Sequence, residues 1–218
     1  MCASAFTLLS STALAQTYEE ERAAPTMQVK GTQESSAELE PARQLDQFFY
    51  MNGGGGASYV GLDTFSSNRL GLTDTGGVGP MLDAGAGFRG ENFSMGPRLR
   101  MTSLDNFNVW EINGEMTAHA PVGQVDGYLG IHAGYVFLNN FSNRIPDATN
   151  VQVTGFDVGL HAGWDYYATP ELSLGVDFGG EVLFVNRPGY NSRNAAYRVD
   201  GQSTGIGGNV TARLGLHF

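Results

Sequence analysis

The chain is nearly without lysine. Lys30 is the single one in 218 residues, and Lys and Arg together number 12 against 22 Asp and Glu, for a net charge of −10. A protein that grips phosphate backbones needs clustered positive charge, so nucleic acid is excluded as a partner. Cysteine is equally scarce: Cys2 stands alone, which leaves neither a disulfide framework nor a thiolate metal centre. No window of 18 or more apolar residues occurs, and a membrane-crossing helix is thereby excluded. A membrane is not excluded, because a barrel strand crosses in about 9 to 11 residues and shows only alternation of apolar and polar positions.

What is present is glycine, at 31 residues, and aromatics, at 11%. Three regions differ in composition. Met1 to Gln16 reads as a secretory signal, with an apolar stretch around Phe6, Leu8 and Leu9 and then Ala13-Leu14-Ala15; cleavage is expected after residue 15. A positively charged leader is missing, as expected if the true start lies further upstream. Residues 16–48 are acidic, with Glu19, Glu20, Glu21, Glu34, Glu38, Glu40 and Asp46 against Arg22, Lys30 and Arg43. Such a segment buries too little apolar surface to order itself, and the expectation is a disordered linker. Residues 49–218 carry the fold.

From Gly54 onward the chain divides into eight alternating segments near 54–63, 80–89, 93–102, 107–120, 124–138, 152–167, 171–185 and 204–218. Tight connections at Gly90-Glu91-Asn92, Pro121-Val122-Gly123 and Ala168-Thr169-Pro170 alternate with long ones at 64–79, 139–151 and 186–203; only the short link at 103–106 breaks the rule. In the second to eighth segments one face is apolar or small, as in Leu82, Phe88, Phe93, Leu99, Ile112, Met116, Leu129, Ile131, Leu160, Trp164, Leu174 and Phe178, and holds no ionisable Asp, Glu, Lys, Arg or His. The opposite face holds Asp83, Arg89, Arg98, Arg100, Glu111, Glu115, Asp126, Asp157, Asp165, Asp177, Glu181 and Arg213. A charged Arg or Lys on a lipid face costs about 2 to 4 kcal/mol at mid-depth, so a membrane barrel requires this segregation. In the first segment, Asp63 is expected inward, with Ser58, Val60 and Leu62 outward. Aromatics fall into two bands, Phe93, Trp164, Tyr166 and Phe218 near the tight turns and Trp110, Tyr135, Phe137, Phe156 and Phe184 near the long loops, which matches interfacial girdles.

The last segment ends on Phe218, with Leu216, Leu214, Ala212 and Val210 at steps of two. A terminal strand of this kind resembles the assembly signal of bacterial outer-membrane β-barrels, carried here by Phe218, Leu216 and Leu214. With the alternation and the loop asymmetry, residues 49–218 resemble the eight-stranded members of that class, which includes the membrane domain of outer-membrane protein A and the opacity-type barrels. The resemblance implies an all-β, antiparallel, up-and-down transmembrane barrel in the outer membrane, monomeric, with outer-membrane lipid and the barrel assembly machinery as partners. It also implies a structural or adhesive role. A small-solute pore and a soluble, lipocalin-like binding barrel are the alternatives.

Setting inward residues by their distance from the tight turns puts Asp83, Arg98, Arg100, Glu115, Asp177 and Arg213 at similar height, as ion pairs filling a narrow lumen. Inward glycines, among them Gly130, Gly134, Gly159 and Gly163, would make room for them. Two segments repeat a signature, Gly130-Ile131-His132-Ala133-Gly134 and Gly159-Leu160-His161-Ala162-Gly163. A metal site from His132, His161 and a carboxylate such as Asp177 is weighed against hydrogen-bonded lumen histidines, and two ligands favour the latter. No metal or other cofactor is expected. No nucleophile elbow, zinc-protease motif or His and Ser two apart on a strand occurs, so no catalytic residue is expected. Binding is assigned to the last long loop, where Arg187, Tyr190, Arg193, Tyr197 and Arg198 form a basic and aromatic group suited to an anionic glycolipid or a cell-surface ligand.

Overall fold

A computed structural model describes residues 48–63, 76–141, 152–188 and 200–218. They form eight strands: β1 (Phe49–Leu62), β2 (Gly76–Arg89), β3 (Phe93–Ser103), β4 (Asn108–Val122), β5 (Val125–Asn139), β6 (Val153–Thr169), β7 (Leu172–Arg187) and β8 (Gly201–His217). Each pairs antiparallel with the next, and β1 pairs with β8 to close a barrel. At 11 to 17 residues, every strand is long enough to cross the hydrocarbon of a bilayer.

Closure is drawn tight at the carboxy terminus. Phe49 and Phe218 exchange backbone hydrogen bonds, with Phe218 N to Phe49 O at 2.8 Å and Phe49 N to Phe218 O at 3.2 Å. Their rings lie 6.3 Å apart, and Phe88 sits edge-on to Phe49 at 6.2 Å. The terminal aromatic expected as an assembly signal therefore sits on the seam itself, facing outward, as do Leu216 and Leu214.

Every strand has one exposed and one buried face. The exposed face carries the large apolar side chains, including Leu82, Phe88, Ile112, Leu129, Ile131, Leu160 and Ile206. The buried face points into the barrel and carries the charges. A lipocalin-like barrel would reverse this, with its apolar face inside. The expected phase holds in β2 to β8.

In β1 it is inverted. Ser58, Val60 and Leu62 are buried and Tyr59 is exposed; the strand starts at Phe49, so Phe49, Met51 and Tyr59 set the outward phase, and Asp63 lies beyond its end, exposed. Val60 and Leu62 turn inward because the lumen is apolar at that level. They join Leu104, Phe107, Val109, Val136, Leu138, Phe141, Val153, Leu183 and Val185 in one buried cluster at the long-loop end. The short link between β3 and β4 belongs to this cluster. Leu104 N bonds to Phe107 O at 3.0 Å, which folds both side chains into the barrel mouth, where Phe107 stacks on Phe141 at 5.4 Å.

Arg187 needs a second correction. Sequence reading placed it in a surface loop, but it is the last residue of β7 and fully buried, because the alternation of β7 runs two residues further than expected and carries Arg187 inward with Leu183 and Val185. Tyr190, Arg193, Tyr197 and Arg198 lie outside the described residues, as do the signal and most of the linker.

Candidate functional site

Among the described residues, titratable groups are concentrated and held in the lumen, and its contents are sorted by height. At the tight-turn end, Arg89 pairs with Asp126. His119 links Asp126 to Ser94, with Nδ1 at 2.9 Å from Asp126 Oδ2 and Nε2 at 2.9 Å from Ser94 Oγ. Ser173 and His217 form a further pair at 2.9 Å. Between this level and the next lies a cavity of about 20 Å³, lined by Tyr50, Arg89, Ser94, His119, Asp165 and Arg213 among others. That is room for about one water.

In the middle, Arg98 is the hub. It pairs with Asp83 and reaches Glu115 at 3.4 Å and Asp177 at 3.5 Å. Arg213 reaches Asp177 at 3.4 Å and the Tyr128 hydroxyl at 3.0 Å, and its guanidinium lies 5.0 Å from the centre of the Tyr128 ring. Tyr50 donates to Glu115 at 3.1 Å. Five of the six residues expected to form a lumen network thus meet here: Asp83, Arg98, Glu115, Asp177 and Arg213.

Arg100, the sixth, hydrogen-bonds one level higher. Its Nη1 lies 2.7 Å from both Glu111 and Glu181. Distance from the tight turn placed it with the other five because it is only two residues from Arg98, yet one inward step along a strand moves a long side chain to the next layer of partners. Glu181 also meets His132 Nε2 at 3.3 Å, and Asp157 lies 3.7 Å from the same nitrogen and accepts from Asn113 at 3.1 Å. Above this level the apolar cluster seals the lumen.

The repeated glycine and histidine signature now has a reason. β5 and β6 are antiparallel, with Gly130 opposite His161 and His132 opposite Gly159. Each histidine lies over the other strand's glycine. A Cβ on Gly159 would sit 2.5 Å from the His132 ring, and one on Gly130 would collide with His161. The two rings then stack at 6.0 Å. Thr117 hydrogen-bonds His161 at 3.0 Å. His132 and His161 therefore face different partners instead of converging with Asp177 on one point.

Sequence search for a hydrolase missed Ser94, His119 and Asp126, which come from three strands. Their contacts follow the order of a nucleophile, a base and an orienting acid. Arg89 occupies the same ground, however, with Nη2 at 3.1 Å from His119 Nδ1, and the adjoining cavity of about 20 Å³ has room for about one water.

No family model matches the chain, and no curated protein matches it in sequence. Solved structures resemble it in fold. Neisserial surface protein A is 14% identical, with a TM-score of 0.57 over 78% of this chain and 97% of that one. Outer membrane protein OprG from Pseudomonas aeruginosa is 12% identical, with a TM-score of 0.49 over 79% and 97%. At such identity the likeness to the Neisserial protein speaks for the fold, and it agrees with strand number, pairing and closure. The chain has the fold of the eight-stranded bacterial outer-membrane β-barrels.

Proposed function

We propose that this protein is an integral protein of the bacterial outer membrane, without enzymatic activity, whose filled barrel serves as a rigid mount for surface loops. The observation that carries the reading is the distribution of side chains across the wall. The exposed face is apolar on all eight strands, with Leu82 at 66% and Leu129 at 61% exposure, whereas Asp177 and Asp157 inside are at 0%. Water outside such a wall would face a continuous apolar band far larger than soluble monomers expose. Lipid outside removes that penalty. Tyr135, Phe156 and Phe184 toward the loop end and Phe49, Phe88, Trp164 and Phe218 toward the turn end are exposed on the same wall, where interfacial girdles belong.

Support for a mount over a pore comes from the interior, where, among the described residues, three ionic levels and an apolar cluster occupy the lumen. Support for a loop role is indirect: binding residues concentrate on loops held by a rigid scaffold, and the chain between β7 and β8 supplies Tyr190, Arg193, Tyr197 and Arg198, outside the described residues. With Arg187 buried, Arg193 and Arg198 are the residues to vary. Their joint replacement with Ser is expected to weaken binding to anionic glycolipid vesicles in a salt-dependent way. The membrane reading itself is tested by carbonate washing of cell envelopes and by comparing unheated with boiled samples on a denaturing gel. Retention in the membrane and faster migration of the unheated form are expected. A carbonate-soluble protein without a heat-dependent shift would overturn the reading.

A further inference from the structure

The upper ionic level is out of balance. Glu111, Asp157 and Glu181 are three carboxylates at 1%, 0% and 5% exposure, and among the described residues the one guanidinium hydrogen-bonded to them is Arg100, which serves Glu111 and Glu181. Arg98 is directed to Asp83, Glu115 and Asp177 one level below. Three buried carboxylates thus share one guanidinium, and apolar side chains lie above them. Buried charge of one sign without compensation is costly enough that it is neutralised in some way.

The geometry points to a divalent cation of zinc type held by His132, Asp157 and Glu181. Each offers one atom, and the three atoms lie within 4.8 Å of one another. His132 Nε2 is 3.3 Å from Glu181 Oε2 and 3.7 Å from Asp157 Oδ2. In a tetrahedral zinc site, with metal to nitrogen or oxygen distances of about 2.0 to 2.2 Å, ligand atoms stand about 3.3 to 3.6 Å apart. The two separations from the histidine nitrogen are therefore close to those of a site that has only to contract slightly. Two carboxylates and one imidazole leave a fourth position for water, a donor set suited to zinc or another first-row divalent ion. One such ion would supply the positive charge that Arg100 alone does not give this level.

Two features of the scaffold point the same way. The space beside His132 Nε2 exists because residue 159 is glycine, since a Cβ there would stand 2.5 Å from that nitrogen. Gly159 pairs with His132 on one side and Glu181 on the other, so the missing side chain lets ligands from β5 and β7 meet across β6. In addition, Asp157 Oδ1 is buried with no hydrogen-bond partner while Oδ2 is held by Asn113. Asn113 on Asp157 and Arg100 on Glu181 are the kind of outer contacts that orient metal-binding carboxylates.

The inference rests on the barrel fold and is independent of the loop role. Because the apolar cluster closes one end and ionic levels the other, the ion is expected to enter during folding. Urea-unfolded full chain is refolded into detergent with zinc chloride, passed over a desalting column, and its metal content measured on material that shows the heat-dependent gel shift. About one zinc per chain is expected in the wild type. His132→Gln and Glu181→Gln are expected to hold it at least about ten- to a hundredfold more weakly, since losing even an outer-shell partner costs that much and these are ligands. Refolding with cobalt chloride supplies a readout that needs no variant: a four-coordinate ion gives visible ligand-field absorption. A folded wild type that retains no zinc and shows no cobalt bands would overturn the proposal and leave protons as the neutralising cations, and so would zinc retained equally by both variants.

Discussion

The two ends of the lumen solve one problem in two ways. Eight strands enclose a space just wide enough for side chains to fill. Toward the tight turns it is filled by guanidiniums, carboxylates and imidazoles in direct contact with one another, and toward the long loops by Val60, Phe107, Val136, Leu138, Leu183 and their neighbours. The ionic end is held by directed bonds such as Arg100 to Glu111 and Glu181, each at 2.7 Å. The apolar end is held by packing, with Phe107 and Phe141 stacked at its centre. The difference teaches that inward polarity is not what a membrane barrel demands. What it demands is an apolar outside; the inside need only be full, and each filling fails in its own way when a piece is removed.

The largest effect is expected at Arg100. Arg100→Met leaves Glu111 and Glu181 buried beside each other without their shared partner, which should cost about 3 to 5 kcal/mol. Urea unfolding of the refolded barrel in detergent measures it, and added salt should change the loss little, because buried pairs are screened far less than exposed ones. Replacing Arg100, Glu111 and Glu181 together by Met, Leu and Leu should recover most of that loss, since apolar replacement of a whole buried cluster is often neutral or stabilising. Failure to recover would mean that the ionic level cannot be exchanged for packing, and would break the comparison.

Leu138→Ala probes the other end. Leu138 is 1% exposed within the apolar cluster, and its truncation should cost about 2 to 4 kcal/mol by the transfer and cavity terms. A loss below about 1 kcal/mol would mean that the cluster collapses around the gap and is not tightly packed. Smaller still is Gly130→Ala, where the added methyl collides with the His161 ring. Overpacking of this kind costs about 1 to 3 kcal/mol. The same change in a background of His161→Ala should cost less, and a cycle of the two variants reads the coupling directly.

Much of the fold was legible because charge is a strong marker of face. The seven strands from β2 to β8 carry acids or bases on one side only, so their phase followed from Arg98, Glu115, Asp177 and the rest. β1 was misread because Gly53 to Gly56 carry no side chain to set a phase and because Val60 and Leu62 were matched to the apolar outside. The apolar cluster was missed for the same reason. Its signal was present in runs apolar on both faces, Val136-Phe137-Leu138 and Leu183-Phe184-Val185, which is how strands buried on both sides read. Within the candidate site, the inward residues were legible but their pairing was not. Which carboxylate Arg100 meets depends on stagger between strands, and periodicity within a strand says nothing of it. The exchange of glycine and histidine between β5 and β6 was visible as a repeat, yet it acquires its meaning only from the register that sets Gly130 opposite His161.

The proposed state of the molecule is a membrane barrel with a filled lumen. It is tested most directly by recording from purified, heat-modifiable protein in planar lipid bilayers. The ionic levels and the apolar cluster predict that insertion leaves the membrane without stable unitary current steps, in low salt and in high salt alike. A large, reproducible single-channel conductance from the wild-type barrel would contradict the account, because it would require a continuous water path through Arg98, Arg100 and Phe107, where the structure places packed side chains.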